Sequence, residues 1–279
     1  MPAQIRSFPL RFFSFMAFFA MAPWAFAEIP DELEPDYSEA VLAYNAHDYG
    51  RAERLLSNLM KKAPQVTEFL ELKALTLKSE KKPAESIEVY EKLIQAKTAS
   101  HAPEKDLAPY HFELGVAYFG QKDLAKARSH LEVAAKHGFN NGPTHLYLGM
   151  DSFQRGAWGQ AEEHFDQVIS SNARELWAAS AFYLAQAQAK SDYPGGAAYN
   201  LGRAKSFAQS VLEDRDASPE AKKIAQQIFN SADKALKPFD KRQWLYPSAR
   251  RSNKPSRAIC KFGTSFFRIG SSSPKAVPR

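Results

Sequence analysis

Cysteine is almost missing from this chain. Of 279 residues only Cys260 is one, and none lies between residues 28 and 236. That excludes from the long central stretch a disulfide, a thiolate metal site and a cysteine nucleophile. Catalytic signatures are missing as well. There is no phosphate-cradling glycine loop, no nucleophile-elbow serine and no His-Glu-x-x-His. The seven histidines contain no i,i+4 pair that would place two ligands on one helix face. Long apolar runs are also scarce. The longest, Phe12 to Ala22, has 11 residues, against about 20 needed to cross a bilayer as a helix.

That run has a recognisable setting. Arg6 and Arg11 flank it with positive charge, Pro23 breaks it, and Ala25-Phe26-Ala27 follows as a small-x-small site. Residues 1–27 are therefore expected to be a secretory signal peptide cleaved before Glu28. Charge is distributed just as unevenly. The net +6 conceals a body, 28–236, with 24 basic and 30 acidic residues, and a tail, 237–279, with 11 basic residues and one acid, Asp240. An acidic body does not match a nucleic-acid-binding domain. The tail is rich in Arg, Lys, Ser and Pro without a sustained period, and is expected to be of low order.

What the body has is an internal repeat. Leu114-Gly115, Tyr118, Ala127, Leu131 and Ala134 recur 34 residues later as Leu148-Gly149, Ser152, Ala161, Phe165 and Val168. A period of this length marks a helix–turn–helix solenoid. The small residues Gly115, Ala127, Gly149 and Ala161 are expected where two helices touch, with large residues filling the spaces between. Units run over about 33–66, 67–100, 108–141, 142–175 and 177–212, and an apparent insertion at 101–107 precedes the third. The fifth, divergent unit contains Ala181 and Leu184. After it, Ser218-Pro219-Glu220 opens a one-sided helix through Ile224, Ile228, Ala232 and Leu236, suited to capping the stack.

By these residues the chain resembles the tetratricopeptide-repeat (TPR) family. The resemblance implies an all-α, right-handed superhelical solenoid of about five helix–turn–helix units plus a C-terminal capping helix, with the disordered basic tail beyond it. It also implies a noncatalytic protein–protein scaffold, not an enzyme, that needs no cofactor and no metal. In that family, ligands lie along the concave surface, at the second, fifth, ninth, twelfth and thirteenth positions of each unit. Here those include Tyr37, Val41, Tyr44, Leu75, Lys78, Phe112, Val116, Phe119, Leu146, Met150, Phe153 and Phe182. This lining lacks the Lys/Asn/Arg clamp with which some members hold a peptide carboxylate, and suits an apolar peptide or helix. The competing reading is that the protein's own N-terminal segment or capping helix covers some of these side chains.

Other features have plain readings. His111 and His145 are one repeat apart, as are His130 and His164; they are equivalent positions of adjacent units, and the first two occupy the place usually given to Trp in the family. The acidic patches Asp31-Glu32-Glu34-Asp36 and Glu162-Glu163 are solvated faces.

With a signal peptide, the resemblance implies a periplasmic or cell-envelope adaptor whose partner is a protein or peptide, with outer-membrane or membrane-surface association and no nucleic acid. The stretch 236–244, Leu-Lys-Pro-Phe-Asp-Lys-Arg-Gln-Trp, is similar to the junction in outer-membrane proteins whose periplasmic TPRs precede a β-barrel, such as surface lipoprotein assembly modifiers. The 35 residues after Trp244 are fewer than the eight strands of about 9–11 residues that a barrel needs. The alternatives are thus an assembly or secretion protein whose barrel is missing from this chain, and an envelope attachment through the basic tail with Trp244, Tyr246, Phe262, Phe266 and Phe267.

Overall fold

The structure is a computed structural model and describes residues 29–239. The segment 1–27 read as a signal peptide lies outside the described residues, as does the tail beyond Phe239. The described chain is all-α. It comprises α1 (Glu34–Asn45), α2 (Tyr49–Lys62), α3 (Thr67–Ser79), α4 (Pro83–Ala99), α5 (Glu104–Gly120), α6 (Leu124–Lys136), α7 (Asn141–Gln154), α8 (Trp158–Ser170), α9 (Arg174–Lys190), α10 (Pro194–Glu213) and α11 (Pro219–Leu236), then a 3-10 turn at Lys237–Phe239. Each helix packs on the next, so the stack is a solenoid of five hairpins and a final single helix. No helix among the described residues is long and apolar enough to cross a membrane.

Each hairpin turns by the same device. His47, Lys81, Lys122, Gly156 and Asp192 all have positive φ, between 57° and 75°. The next amide in each turn donates back to a carbonyl five residues earlier: Asp48 to Ala43, Lys82 to Leu77, Asp123 to Tyr118, Ala157 to Ser152 and Tyr193 to Gln188. This is the left-handed helix end that satisfies last-turn carbonyls. Only Gly156 has the residue type that announces it. Asp48 and Asp123 then cap α2 and α6 by accepting from the amides of Arg51 and Lys126.

The contact between the two helices of a hairpin is built from small residues. On the first helices these are Ala40, Ala74, Gly115, Gly149 and Ala185; on the second, Ala52, Ser86, Ala127, Ala161 and Ala197, and all ten are buried. A large residue follows on each second helix: Leu56, Tyr90, Leu131, Phe165 and Leu201. A Cβ on Gly115 would stand 2.6 Å from Leu131 Cγ, and one on Gly149 would stand 2.7 Å from Phe165 Cε1. Glycine is thus required there by close approach. In the fifth unit Ala185 takes the glycine's place, 36 residues after Gly149 instead of 34, which puts that unit two residues out of register.

The equivalent small residues Ala74 and Gly115 are 41 residues apart instead of 34, so seven extra residues do lie between the second and third units. α4 runs on to Ala99 and α5 starts at Glu104, so most of the 101–107 stretch lengthens the third hairpin. Leu107 and Ala108 are buried in the first turns of α5, and Glu104 and Asp106 oppose the positive helix end. At the other end Ser218 Oγ accepts from the Ala221 amide at 3.1 Å and starts α11. Ala225, Ile228, Ala232 and Ala235 of α11 close over Phe182, Ala204 and Ala208. This buries α9 all round: every residue from Ala178 to Ala189 is buried.

Candidate functional site

The first helices of the hairpins line one side of the solenoid; α1, α3, α5 and α7 keep accessible faces there, whereas α9 is buried all round. Neighbouring ones are tied by a recurring side-chain pair. Between α3 and α5 it is an ion pair, Lys78 Nζ to Glu113 Oε2 at 2.6 Å. One hairpin on, between α5 and α7, it is Phe119 edge-on to Tyr147, with centroids 5.1 Å apart. Between α7 and α9 it is Phe153 edge-on to Tyr183 at 5.8 Å. Edge-to-face geometry is favoured because a ring's positive rim meets its partner's negative face. The same slot is therefore polar near the N-terminal half and aromatic towards the C-terminal half.

Three of the residues expected to line the groove are core. Leu146 is 1% exposed and packs with Phe165, Val168 and Leu184. Phe112 sits among Leu131, Ala134 and Leu148, and its ring meets Phe139 and Tyr147. Phe182 is covered by the capping helix. At Phe112 and Leu146 the fifth position of a unit faces the neighbouring hairpin more than the groove. The other candidates stay partly or fully accessible. Tyr37 is half-buried against Phe69, and Tyr44 against Tyr49. Val41, Val116, Phe119, Met150 and Phe153 are half-buried, and Leu75 is exposed. Next to Val41, Leu42 is 68% exposed, the largest exposure of any large apolar side chain described.

A polar cluster on α3, α4 and α5 goes unnoticed in the sequence. Tyr110 donates from its hydroxyl to Glu71 at 2.6 Å, and Lys97 Nζ lies 2.9 Å from the same carboxylate. Burial, then the bond to Glu71, pushes the Tyr110 phenol well up. Tyr90 comes in from α4. Its hydroxyl is buried and has no hydrogen-bond partner, and its phenol is raised by burial and then by the charge of Glu113. Tyr147, on the aromatic side, is pushed up to about 12 by burial and then by Glu113. All of these phenols are neutral at ordinary pH, so they offer hydrogen bonds rather than charge. Glu71 occupies a fifth position and was the one available signal. Tyr110, Glu113 and Tyr147 fall at other positions, and only the packing of neighbouring helices turns them inward.

No group of three or more His, Cys, Asp or Glu that could hold a metal ion occurs among the described residues. The geometry offers a surface and hydrogen bonds.

Comparison with known proteins agrees with this architecture. A family model described as tetratricopeptide repeat matches residues 37–101. Among solved structures, that of MamA superimposes with a TM-score of 0.57 at 17% identity, covering 67% of this chain and 97% of that one. PilW, a type IV pilus biogenesis factor, gives 0.48 at 16% identity, over 77% and 99%. A thermophilic TPR protein of Thermus thermophilus gives 0.44 at 18%, over 71% and 99%. At these identities the likeness is one of fold. No curated protein matches the chain.

Proposed function

We propose that this chain, whose fold is that of tetratricopeptide repeats, is a noncatalytic protein-interaction adaptor of the bacterial periplasm or cell envelope that binds an amphipathic protein segment along its inner face. The observation that carries this is the two-part lining. Val116, Phe119, Tyr147, Met150 and Phe153 form an apolar and aromatic half, and Glu71, Lys78, Lys97, Tyr110 and Glu113 a polar half. A helix or extended segment with apolar anchors at one end and hydrogen-bonding groups at the other complements both.

Export is supported by the signal-peptide pattern of residues 1–27 and by the absence of cysteine from 28–236. Membrane-surface association of this adaptor has support in the basic tail, with its 11 cationic residues.

The test is a crosslinking capture from the native envelope. The bait is the protein as the cell makes it, whose first residue is read by mass spectrometry and is expected to be Glu28. A Leu75→Glu/Lys78→Ala version changes groove side chains outside the core, one exposed and one from the polar half. It is expected to keep its helical spectrum and to lose the captured partner by about tenfold or more, the size expected when a contact worth a little over 1.4 kcal/mol is removed. Equal capture by both versions places the partner elsewhere on the molecule.

A further inference from the structure

Four half-buried histidines meet in two equivalent pairs. His111 on α5 faces His130 on α6, with the two Nδ1 atoms 2.8 Å apart. His145 on α7 faces His164 on α8 in the same way, at 3.1 Å. The rings adopt nearly the same poses, with centroids at 5.1 and 5.3 Å and interplanar angles of 33° and 30°. Each pair bridges the two helices of one hairpin, and both hairpins are in the middle of the stack. Only two donors converge in each place. A third His, Cys, Asp or Glu joins neither, so a metal is the poorer explanation and a hydrogen bond the better one.

We propose that the twin pairs are proton-operated latches that hold hairpins three and four closed at neutral pH and release them in acid. The chemistry follows from two facing Nδ1 atoms. In the neutral pair one ring carries its proton on Nδ1 and donates; the other carries its own on Nε2 and accepts. One added proton goes to the free Nε2 of the donor ring. That makes an imidazolium and keeps the bond. A second added proton must go to the accepting Nδ1. Both facing nitrogens then carry N–H, nothing accepts, and two positive rings are pressed together. Each pair therefore takes one proton and refuses a second while the hairpin is closed.

The surroundings reinforce this more than they oppose it. All four rings are held below their ordinary value, with burial as the largest cause. His111 also faces His130, Glu104 of its own helix and His137 at the end of α6, the carboxylate alone favouring the charged form. His130 faces Glu91 of α4, which favours charge, and Lys126, which opposes it; the Tyr118 ring stacks on it from α5. His145 faces Glu163 of α8. His164 faces His145, Glu163, Asp151 of α7 and Arg155. The sign is then fixed. Histidines depressed in the folded state bind fewer protons than in the unfolded chain, so the latches add stability above the ordinary histidine value of about 6.5 and lose it as pH falls below that. Release loosens α5 and α7, the helices that carry Phe119 and Tyr147, so acid would reshape the inner face.

The test follows the ring resonances of the full chain by NMR from about pH 8 to about pH 4.5, the window in which histidine changes charge. Each pair is expected to take up its two protons in separate steps, the second well below the first, with amide exchange in α5 to α8 rising at the second step. Four independent titrations near the ordinary value overturn the proposal. A second arm uses His130→Gln/His164→Gln. The fall in urea midpoint from about pH 7.5 to about pH 5 is expected to shrink to about half or less of that of the unaltered protein; an equal fall overturns the proposal. If the variant does not fold, the ring titration of the unaltered chain decides.

Discussion

Gly149→Ala lowers the stability of the solenoid, while Gly202→Ala raises it. The two glycines sit inside helices α7 and α10, and the same methyl group is added to each. At Gly149 it meets the Phe165 ring, with Cε1 at 2.7 Å and Cδ1 at 2.9 Å. A buried ring has no room to retreat, so the hairpin must splay. Overpacking of this kind costs about 1–3 kcal/mol. Gly115→Ala meets the Leu131 branch point at 2.6 Å and the Ala127 carbonyl oxygen at 3.2 Å, and belongs in the same range. At Gly202 nothing lies within 4 Å, and the helix gains roughly 0.5–1 kcal/mol from reduced backbone freedom in the unfolded chain. The check is urea unfolding of the three single variants and the Gly115→Ala/Gly149→Ala double variant. The expected order of midpoints is Gly202→Ala above the unaltered protein, Gly115→Ala and Gly149→Ala both below it, and the double variant lowest.

The second large effect concerns a buried charge. Asp151 on α7 is fully buried. Its Oδ2 accepts from Arg155 Nε at 2.9 Å and from Arg128 Nη1 at 3.3 Å, while its Oδ1 has no partner. Arg128 is on α6, so the cluster joins the third hairpin to the fourth. Replacing both arginines by methionine removes the counter-charges and leaves the carboxylate behind. Stranding a buried charge costs about 3–5 kcal/mol. Both arginine side chains are about one third exposed, so their loss is screened and about 2–3 kcal/mol is expected here. The distinguishing result is rescue. Adding Asp151→Asn to Arg128→Met/Arg155→Met removes the stranded charge and is expected to restore more than half of the lost stability. Thermal or urea unfolding of the three proteins measures it. A triple variant no more stable than the double one rejects the buried-charge explanation.

Both predictions turn on the repeat register, and much of that register is written in the sequence. Gly115 with Gly149, and Ala127 with Ala161, are small for a reason that packing makes plain, and the all-α solenoid with its Ser218-capped closing helix follows from them. Three things are not legible in that way. Four of the five hairpin turns put His47, Lys81, Lys122 or Asp192, rather than glycine, in the left-handed region. There the carbonyls of the preceding helix end dictate the conformation, and residue type does not advertise it. The 101–107 stretch is legible as extra residues from its Pro103 and charges, but not as the place where Glu104 to Leu107 form the first turn of α5, with Leu107 buried.

The groove is the third case. Position within a repeat tells which way a side chain leaves its own helix, but not what the next helix places over it. Leu146, Phe112 and Phe182 are consequently core, and Tyr110, Glu113 and Tyr147 reach the inner face from positions that the repeat rule passes over. The histidine pairs show the same gap. Their 34-residue spacing identifies equivalent positions in adjacent units, but not that each pair meets nitrogen to nitrogen across a hairpin.

The claim that the inner face is the binding surface is tested most directly by photo-crosslinking from single sites in living cells. A photoreactive residue is placed at Leu75, exposed on the inner face, and separately at Lys92 and Glu132, exposed on the second helices α4 and α6. The account predicts a discrete adduct of one partner from position 75 and none of that partner from 92 or 132. An adduct of the same partner from the second helices, with none from position 75, contradicts it.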